Sequence, residues 1–186
     1  YWGTTQFNAC GGIQITASHN PIEYNGMKMV KRNSQPLNPV TDLLEIKRKV
    51  EKNSFKKRRA GILRDISNEA RFAYIQKIVS FFDVKNLRPL KILVNCGNGA
   101  AGPTFDALVD EILKKTSKIS FKRINHSPDG NFPNGIPNPL IEENRFSTSS
   151  EVISSRCDLG IAFDGDFDRC FFFDEQGKFI SGEYIV

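Results

Sequence analysis

Residues 159–169 read Leu159-Gly160-Ile161-Ala162-Phe163-Asp164-Gly165-Asp166-Phe167-Asp168-Arg169. A short apolar run ended by a polar loop predicts a buried strand. Carboxylates at i, i+2 and i+4 follow its C-terminal end, and apolar Cys170 to Phe173 come next. Three such charges repel one another, so a loop holds them together when a cation neutralises them. Hard divalent cations favour all-oxygen sites of this kind. The bland alternative is a solvated acidic turn, and the apolar segments on both sides argue against it. An EF-hand also fits the first, third and fifth positions, with Glu175 at the twelfth. Arg169 stands where that loop needs glycine, and the flanks read as strands instead of helices. Asp164, Asp166 and Asp168 are therefore candidate metal ligands.

Upstream, the sequence predicts strands over 91–95 and 118–124, joined by a helix that starts near Pro103 and runs to about 115. A further helix over 141–155 leads into the strand before the aspartates. A hairpin of 170–173 and 178–180 follows them. Alternating strands and helices of this kind predict an α/β fold with a ligand loop at the strand C-termini. Gly97-Asn98-Gly99-Ala100-Ala101-Gly102 in the first turn matches a dinucleotide fingerprint. The acidic partner expected about 20 residues later is missing, since residues 121–125 read Phe-Lys-Arg-Ile-Asn. Close packing of a tight turn is the simpler reading. Residues 125–140, rich in Pro, Gly and Asn, form a loop long enough to be functional.

The N-terminal third carries a second unusual stretch, Thr16-Ala17-Ser18-His19-Asn20-Pro21. Strands over 11–16 and 26–30 flank it, so Ser18 sits on an exposed turn. A hydrolase reading is unattractive. Adjacent side chains on an extended loop point apart, which places His19 badly as a base for Ser18. A helix capped by Asn38 or Thr41 runs to about 52, with Leu43, Leu44, Ile46 and Val50 on its inner side. Another spans 68–82, where Phe72, Ile75, Ile78, Val79 and Phe82 recur at helical spacing as core residues.

Composition narrows the classes. The 186 residues are 39% hydrophobic and 25% charged, as in globular domains. No apolar run reaches the roughly 20 residues of a membrane span. Cys10, Cys96, Cys157 and Cys170 are widely spaced, which predicts reduced, mostly buried thiols in a cytoplasmic protein and no zinc site. The net charge is +5. Its basic runs, Lys47-Arg48-Lys49 and Lys56-Lys57-Arg58-Arg59, lack the aromatic partners of a nucleic-acid surface and read as a solvated face. The chain starts at Tyr1 and ends in apolar Tyr184-Ile185-Val186, so it reads as a piece of a longer protein.

Two loops together carry a family resemblance. Residues 16–21 followed by Tyr24-Asn25-Gly26-Met27-Lys28 resemble the phosphoserine loop of the α-D-phosphohexomutases. Residues 164–169 resemble their magnesium loop. Residues 96–102 and Asp129-Gly130-Asn131-Phe132-Pro133-Asn134 resemble the second-domain segments between the two. Phe167, where many relatives have glycine, and Gly135-Ile136-Pro137-Asn138-Pro139 look most like the bacterial phosphomannomutase branch.

The resemblance implies two successive α/β domains with mixed, mainly parallel sheets flanked by helices. Residues 1–71 would be the C-terminal part of domain 1, 72–181 would be domain 2, and 182–186 would begin a link to a third domain. It implies that Ser18 carries a phosphate and exchanges it with a hexose monophosphate through a hexose 1,6-bisphosphate. Mg²⁺ would be held by Ser18, Asp164, Asp166 and Asp168. Lys28 would act in proton transfer, His19 as an auxiliary, and Asn20, Lys28 and Arg169 on phosphate. A phosphoserine near −2 with three carboxylates gives about −5, and one Mg²⁺ leaves about −3 for Arg169 and Lys28 to offset. The expected partner is a phosphosugar, with neither nucleic acid nor membrane involved, and the oligomeric state is left open. Sugar-choosing and phosphate-binding loops belong to the family's third and fourth domains, so little mutase turnover is expected of this chain alone. Two other readings stay open: a metal-dependent phosphatase or phosphotransferase, and a non-catalytic nucleotide- or phosphate-binding module built on residues 97–102.

Overall fold

The computed structural model describes residues 1–56 and 59–185. It divides into two units: Tyr1–Ile15 with Met27–Tyr74, and Thr16–Gly26 with Ile75–Val186. In the first unit, helix α1 (Trp2–Gln6) precedes an antiparallel pair, β1 (Gly11–Ile15) and β2 (Met27–Lys31). Trp2 meets Phe7 and Tyr74 edge-on, and Val30 and Thr4 are buried. Asn38 Oδ1 accepts from Val40 N and Thr41 N at 2.8 and 3.1 Å, the cap expected from sequence. A wide turn, Pro39–Leu43, leads into α2 (Leu44–Glu51).

The apolar stripe expected to face inward from this helix is open. Leu43, Leu44, Ile46 and Val50 are 37–60% exposed. Periodicity says which residues share a face and leaves undecided whether anything covers it. Lys47 and Lys49 make i,i+4 pairs with Glu51 and Glu45, the behaviour of a solvated face. Of the second basic run, Lys57 and Arg58 lie outside the described residues.

Helix α3 (Ser67–Val79) crosses from one unit to the other. Ile75 and Val79 are buried as expected, whereas Phe72 is 65% exposed, against the core role read from its spacing.

The second unit is a five-stranded mixed sheet flanked by helices. Its elements are β3 (Leu90–Asn95), α4 (Ala101–Leu113), β4 (Ile119–Ile124), α5 (Phe146–Ser154), β5 (Leu159–Phe163), β6 (Cys170–Phe173) and β7 (Phe179–Ile180). The order is β4-β3-β5-β6-β7. Strands β4, β3 and β5 run parallel, and β6 and β7 complete the sheet antiparallel. Strand β3 is apolar on both faces because both are covered. Ile92 and Val94 pack with Phe105, Val109 and Ile112 of α4 on one side. Leu93 packs with Val152 of α5, Ala162 and Phe173 on the other. Each such side chain contributes roughly 1.5–3 kcal/mol by leaving water.

Register brings Asn95 opposite both Ile124 and Ala162, so the loops after all three parallel strands emerge along one edge. That edge is where open α/β sheets place ligands. Cys96 and Cys157 are buried and Cys10 and Cys170 exposed, so only half of the thiols follow the expectation of burial. Among the described residues no helix is long and apolar enough to cross a membrane.

Candidate active site

The loop Thr16–Gly26 belongs with the second unit and lies on the aspartate loop after β5. Ser18 Oγ is 3.2 Å from both Asp164 Oδ2 and Asp166 Oδ1, 146 and 148 residues away in sequence. Its single proton serves one carboxylate at a time. Thr16 holds this junction from the side: its Oγ1 accepts the Ser18 N–H at 2.8 Å and donates to Asp166 Oδ2 at 2.8 Å. No motif in the sequence marked Thr16 for that role.

Ser18 has φ 57°, in the left-handed region that costs a non-glycine residue about 1–2 kcal/mol. This backbone overturns the expected placement of His19. Alternation of neighbouring side chains holds for extended chain, and a left-handed residue breaks it. His19 Nδ1 thus stands 3.2 Å from Ser18 Oγ. Arg169 Nη2 also contacts Nδ1. A guanidinium N–H can only donate, so Nδ1 is an acceptor there and its lone pair is already engaged.

Arg169 organises the buried carboxylate. Asp164 is fully buried. Its Oδ2 accepts from Arg169 Nε at 2.9 Å and Nη2 at 2.5 Å, and its Oδ1 from the Arg169 backbone N–H at 3.1 Å. Nη2 also lies 3.3 Å from Ser18 Oγ, and Nε 3.5 Å from Asp168 Oδ1. A buried carboxylate needs such partners.

The three aspartates present carboxylate oxygens within 4.8 Å of one another, from buried Asp164, half-buried Asp166 and exposed Asp168. This hard, all-oxygen set beside a hydroxyl fits a divalent cation such as Mg²⁺. Strand β6 runs directly on from Arg169, as the rejection of an EF-hand required.

Glycines let the two loops approach. A Cβ on Gly165 would sit 2.2 Å from the Ser18 carbonyl oxygen, and one on Gly99 would sit 2.5 Å from the Gly165 oxygen. Ala100 N donates to that same Gly165 oxygen at 2.9 Å. The glycine-rich turn after β3 thus supports the aspartate loop through backbone contact, the close-packing alternative to dinucleotide binding. The long loop after β4 is tied to this turn at Asn98. Asn98 N donates to Asn125 O at 2.7 Å, Asp129 N donates to Asn98 O at 2.8 Å, and Asn134 Nδ2 donates to Asn98 Oδ1 at 2.9 Å.

Beside it, His126 links Asp106 of α4, at 2.8 Å, to the Cys96 thiol, at 3.5 Å. Desolvation by burial pushes that thiol up to about 12, so it is no nucleophile at neutral pH. Desolvation also pushes the Asp106 carboxyl up, but bonds and charges from His126 and Arg123 outweigh it and hold the group below its ordinary range.

The sequence of these two units matches two family profiles. "Phosphoglucomutase/phosphomannomutase, alpha/beta/alpha domain II" covers residues 72–177, more than half of the chain, and the corresponding domain I covers residues 1–57. The chain belongs to the phosphoglucomutase/phosphomannomutase family. It is 48% identical over its whole length to a Salmonella montevideo phosphomannomutase, spanning 41% of that protein. It is 45% identical, again over its whole length, to a Xanthomonas campestris pv. campestris protein named phosphohexose mutases, spanning 40% of it. A crystal structure of a Burkholderia thailandensis phosphoglucomutase/phosphomannomutase family protein superposes with a TM-score of 0.77 at 30% identity. It covers 92% of this chain and 35% of its own. The chain thus spans about two fifths of the length of the curated relatives it matches.

Of the residues singled out from sequence, the structure brings Ser18, His19, Asp164, Asp166, Asp168 and Arg169 together in one unit. Asn20 turns back on its own loop, with Nδ2 donating to Ala17 O at 2.9 Å. Lys28 lies on β2 in the first unit, opposite Gln14. Thr16, Gly165 and Gly99 shape this loop junction, and no motif in the sequence marks them for it. The signal of the glycines is steric and non-local, that of Thr16 is a hydroxyl shared between its own loop and Asp166, and no spacing rule reports either.

Proposed function

We propose that this chain carries the phosphoryl-transfer centre of a phosphohexomutase, with Ser18 as the phosphate carrier. Its substrate class is a hexose monophosphate, mannose foremost. One observation carries the reading: the Ser18 hydroxyl lies within 3.2 Å of two carboxylates of the aspartate loop, about 150 residues downstream.

In this mechanism phospho-Ser18 gives its phosphoryl group to the free hydroxyl of the sugar monophosphate. The Oγ–P bond breaks as the sugar O–P bond forms: Lys28, as the neutral amine, takes the hydroxyl proton, Ser18 Oγ departs as an alkoxide beside Arg169, and Lys28 returns that proton to the sugar oxygen released when the second phosphoryl group goes to Oγ. The hexose 1,6-bisphosphate reorients and returns its other phosphoryl group to Ser18 Oγ. Asp164, Asp166, Asp168 and an oxygen on Ser18 would hold Mg²⁺. When bound, that ion neutralises the charge that builds on the transferring group. Arg169, whose Nη2 lies 3.3 Å from Ser18 Oγ, would donate to a phosphate carried there. Thr16 keeps the Ser18 N–H and Asp166 in fixed register. His19, held through Nδ1, orients the phosphate, and Asn20 shapes the turn that presents it.

The test is peptide mass mapping after incubation with glucose 1,6-bisphosphate and Mg²⁺, done on this chain and on a protein of the relatives' full length. A phosphate on Ser18 is the expected result. A phosphate elsewhere, or none on the full-length protein, refutes the mechanism. This chain by itself is expected to give little isomerisation of mannose 6-phosphate, because the family's sugar-choosing loop belongs to another domain. Substantial turnover by the chain alone would contradict that.

A further inference from the structure

Arg169 reaches for the same atoms that a cation at the aspartates needs. Its Nε and Nη2 converge on Asp164 Oδ2 at 2.9 and 2.5 Å, Nη2 lies 3.3 Å from Ser18 Oγ, and Nε lies 3.5 Å from Asp168 Oδ1. Two N–H groups on one oxygen take up the lone pairs a metal would use. Asp164 is fully buried, so its carboxylate has little freedom to turn a second oxygen outward. Its Oδ1 is itself engaged by the Arg169 backbone N–H at 3.1 Å.

Resting on the metal site of the preceding subsection, we infer that the Arg169 guanidinium is a built-in competitor for the divalent cation. The fork and the ion cannot both hold Asp164 Oδ2 and Ser18 Oγ. Arg169 therefore lowers the metal affinity of the loop while its serine carries no phosphate. The effect belongs to the planar fork as well as to its charge. A lysine ammonium is a compact point donor that cannot span two acceptors in the same way.

The test is a Mn²⁺ titration, read as free Mn²⁺ by electron paramagnetic resonance, on the unphosphorylated chain and its R169A, R169K and D166N variants. Circular dichroism checks that each is folded. R169A is expected to bind Mn²⁺ about tenfold more tightly than the unmodified chain, the scale of losing a charge-assisted bond. R169K is expected to fall between the two. Methylguanidinium added to R169A is expected to weaken Mn²⁺ binding competitively, and methylammonium at equal concentration to do so far less. Should R169A fail to fold, R169K carries the test, with tightening of several-fold expected.

Equal or weaker Mn²⁺ binding by the Arg169 variants overturns the inference. So does equal competition by the two small cations, since charge alone would then explain the effect. If the unmodified chain binds Mn²⁺, D166N does not and R169A binds no more tightly, the competitor role fails and the metal site stands. If D166N binds Mn²⁺ as tightly as the unmodified chain does, or neither the unmodified chain nor R169A binds it, the metal site itself fails and the inference falls with it.

Discussion

Gly165→Ala tests the loop junction more directly than removal of any charged group. The substituted position is not in the left-handed region, so alanine adopts its backbone freely and the cost is one of space. The new Cβ would stand 2.2 Å from the Ser18 carbonyl oxygen and 3.3 Å from its carbonyl carbon, against the 3.4 Å of ordinary contact. The difference, 3.4 less 2.2, requires the two backbones to part by about 1.2 Å. Ser18 Oγ sits 3.2 Å from each of two carboxylate oxygens. A separation of that size puts both beyond hydrogen-bond reach. The sheet core does not depend on this junction, so overpacking is expected to cost about 1–3 kcal/mol. A misplacement of about 1 Å at a reacting group costs on the order of 100-fold in rate. The expected outcome is a modest fall in the urea midpoint, together with a roughly 100-fold slower phosphorylation of Ser18 by glucose 1,6-bisphosphate. Both are read on one preparation, by circular dichroism and by peptide mass mapping. Phosphorylation at the normal rate in G165A would refute the reasoning, because the serine and the aspartates would then not need the contact distance that glycine allows.

Three other outcomes follow from the geometry. Thr16→Val keeps the shape and removes the hydroxyl that serves Ser18 N and Asp166. It should cost about 1–3 kcal/mol and weaken Mn²⁺ binding in the titration above, and unchanged values in both would rule out Thr16 as a positioning residue. Phe167 has φ 46° and packs edge-on against Phe163 at 6.0 Å. Phe167→Gly relieves strain but loses packing, and a net loss of about 1–2 kcal/mol is expected because partial burial of a large ring outweighs a left-handed backbone. A gain in stability on urea unfolding would show instead that the strain outweighs the packing. The Asp106 carboxyl is held below its ordinary range in the folded chain, so its contribution is full above the unfolded value near 3.8 and is lost as pH falls through the folded one. Asp106→Asn should therefore be less stable at pH 7 and lose less on acidification from pH 5 to pH 3. Parallel stability curves for the two proteins would contradict this.

The candidate site was legible from sequence where its signals are local. Asp164, Asp166 and Asp168 announce themselves because three carboxylates within five residues, after a buried strand, need a counter-charge. The strand Leu159–Phe163 was read with its observed ends because an apolar run bounded by a polar loop has few alternatives. The apolar stripe of α2 misled because spacing reports a shared face and carries no information about the layer that would cover it. Phe72 misled for the same reason. His19 was misplaced because the alternation rule assumes extended backbone, and nothing in Ala17-Ser18-His19 declares that Ser18 is left-handed.

Sequence by itself determined that this chain is α/β, that it carries a triple-aspartate loop and a serine on a turn, and which family those two loops resemble. Each of these rests on side-chain chemistry repeated over a few residues. Only the tertiary structure decided that Ser18 meets Asp164 and Asp166 across some 150 residues. It also decided that Gly99 and Gly165 make that meeting possible, and that Arg169 spends its fork on the carboxylate expected to hold the cation. These are contacts of backbone with backbone and of one loop with another. Their energy depends on distances set by the register of β3, β4 and β5, and a linear sequence has no period that records them.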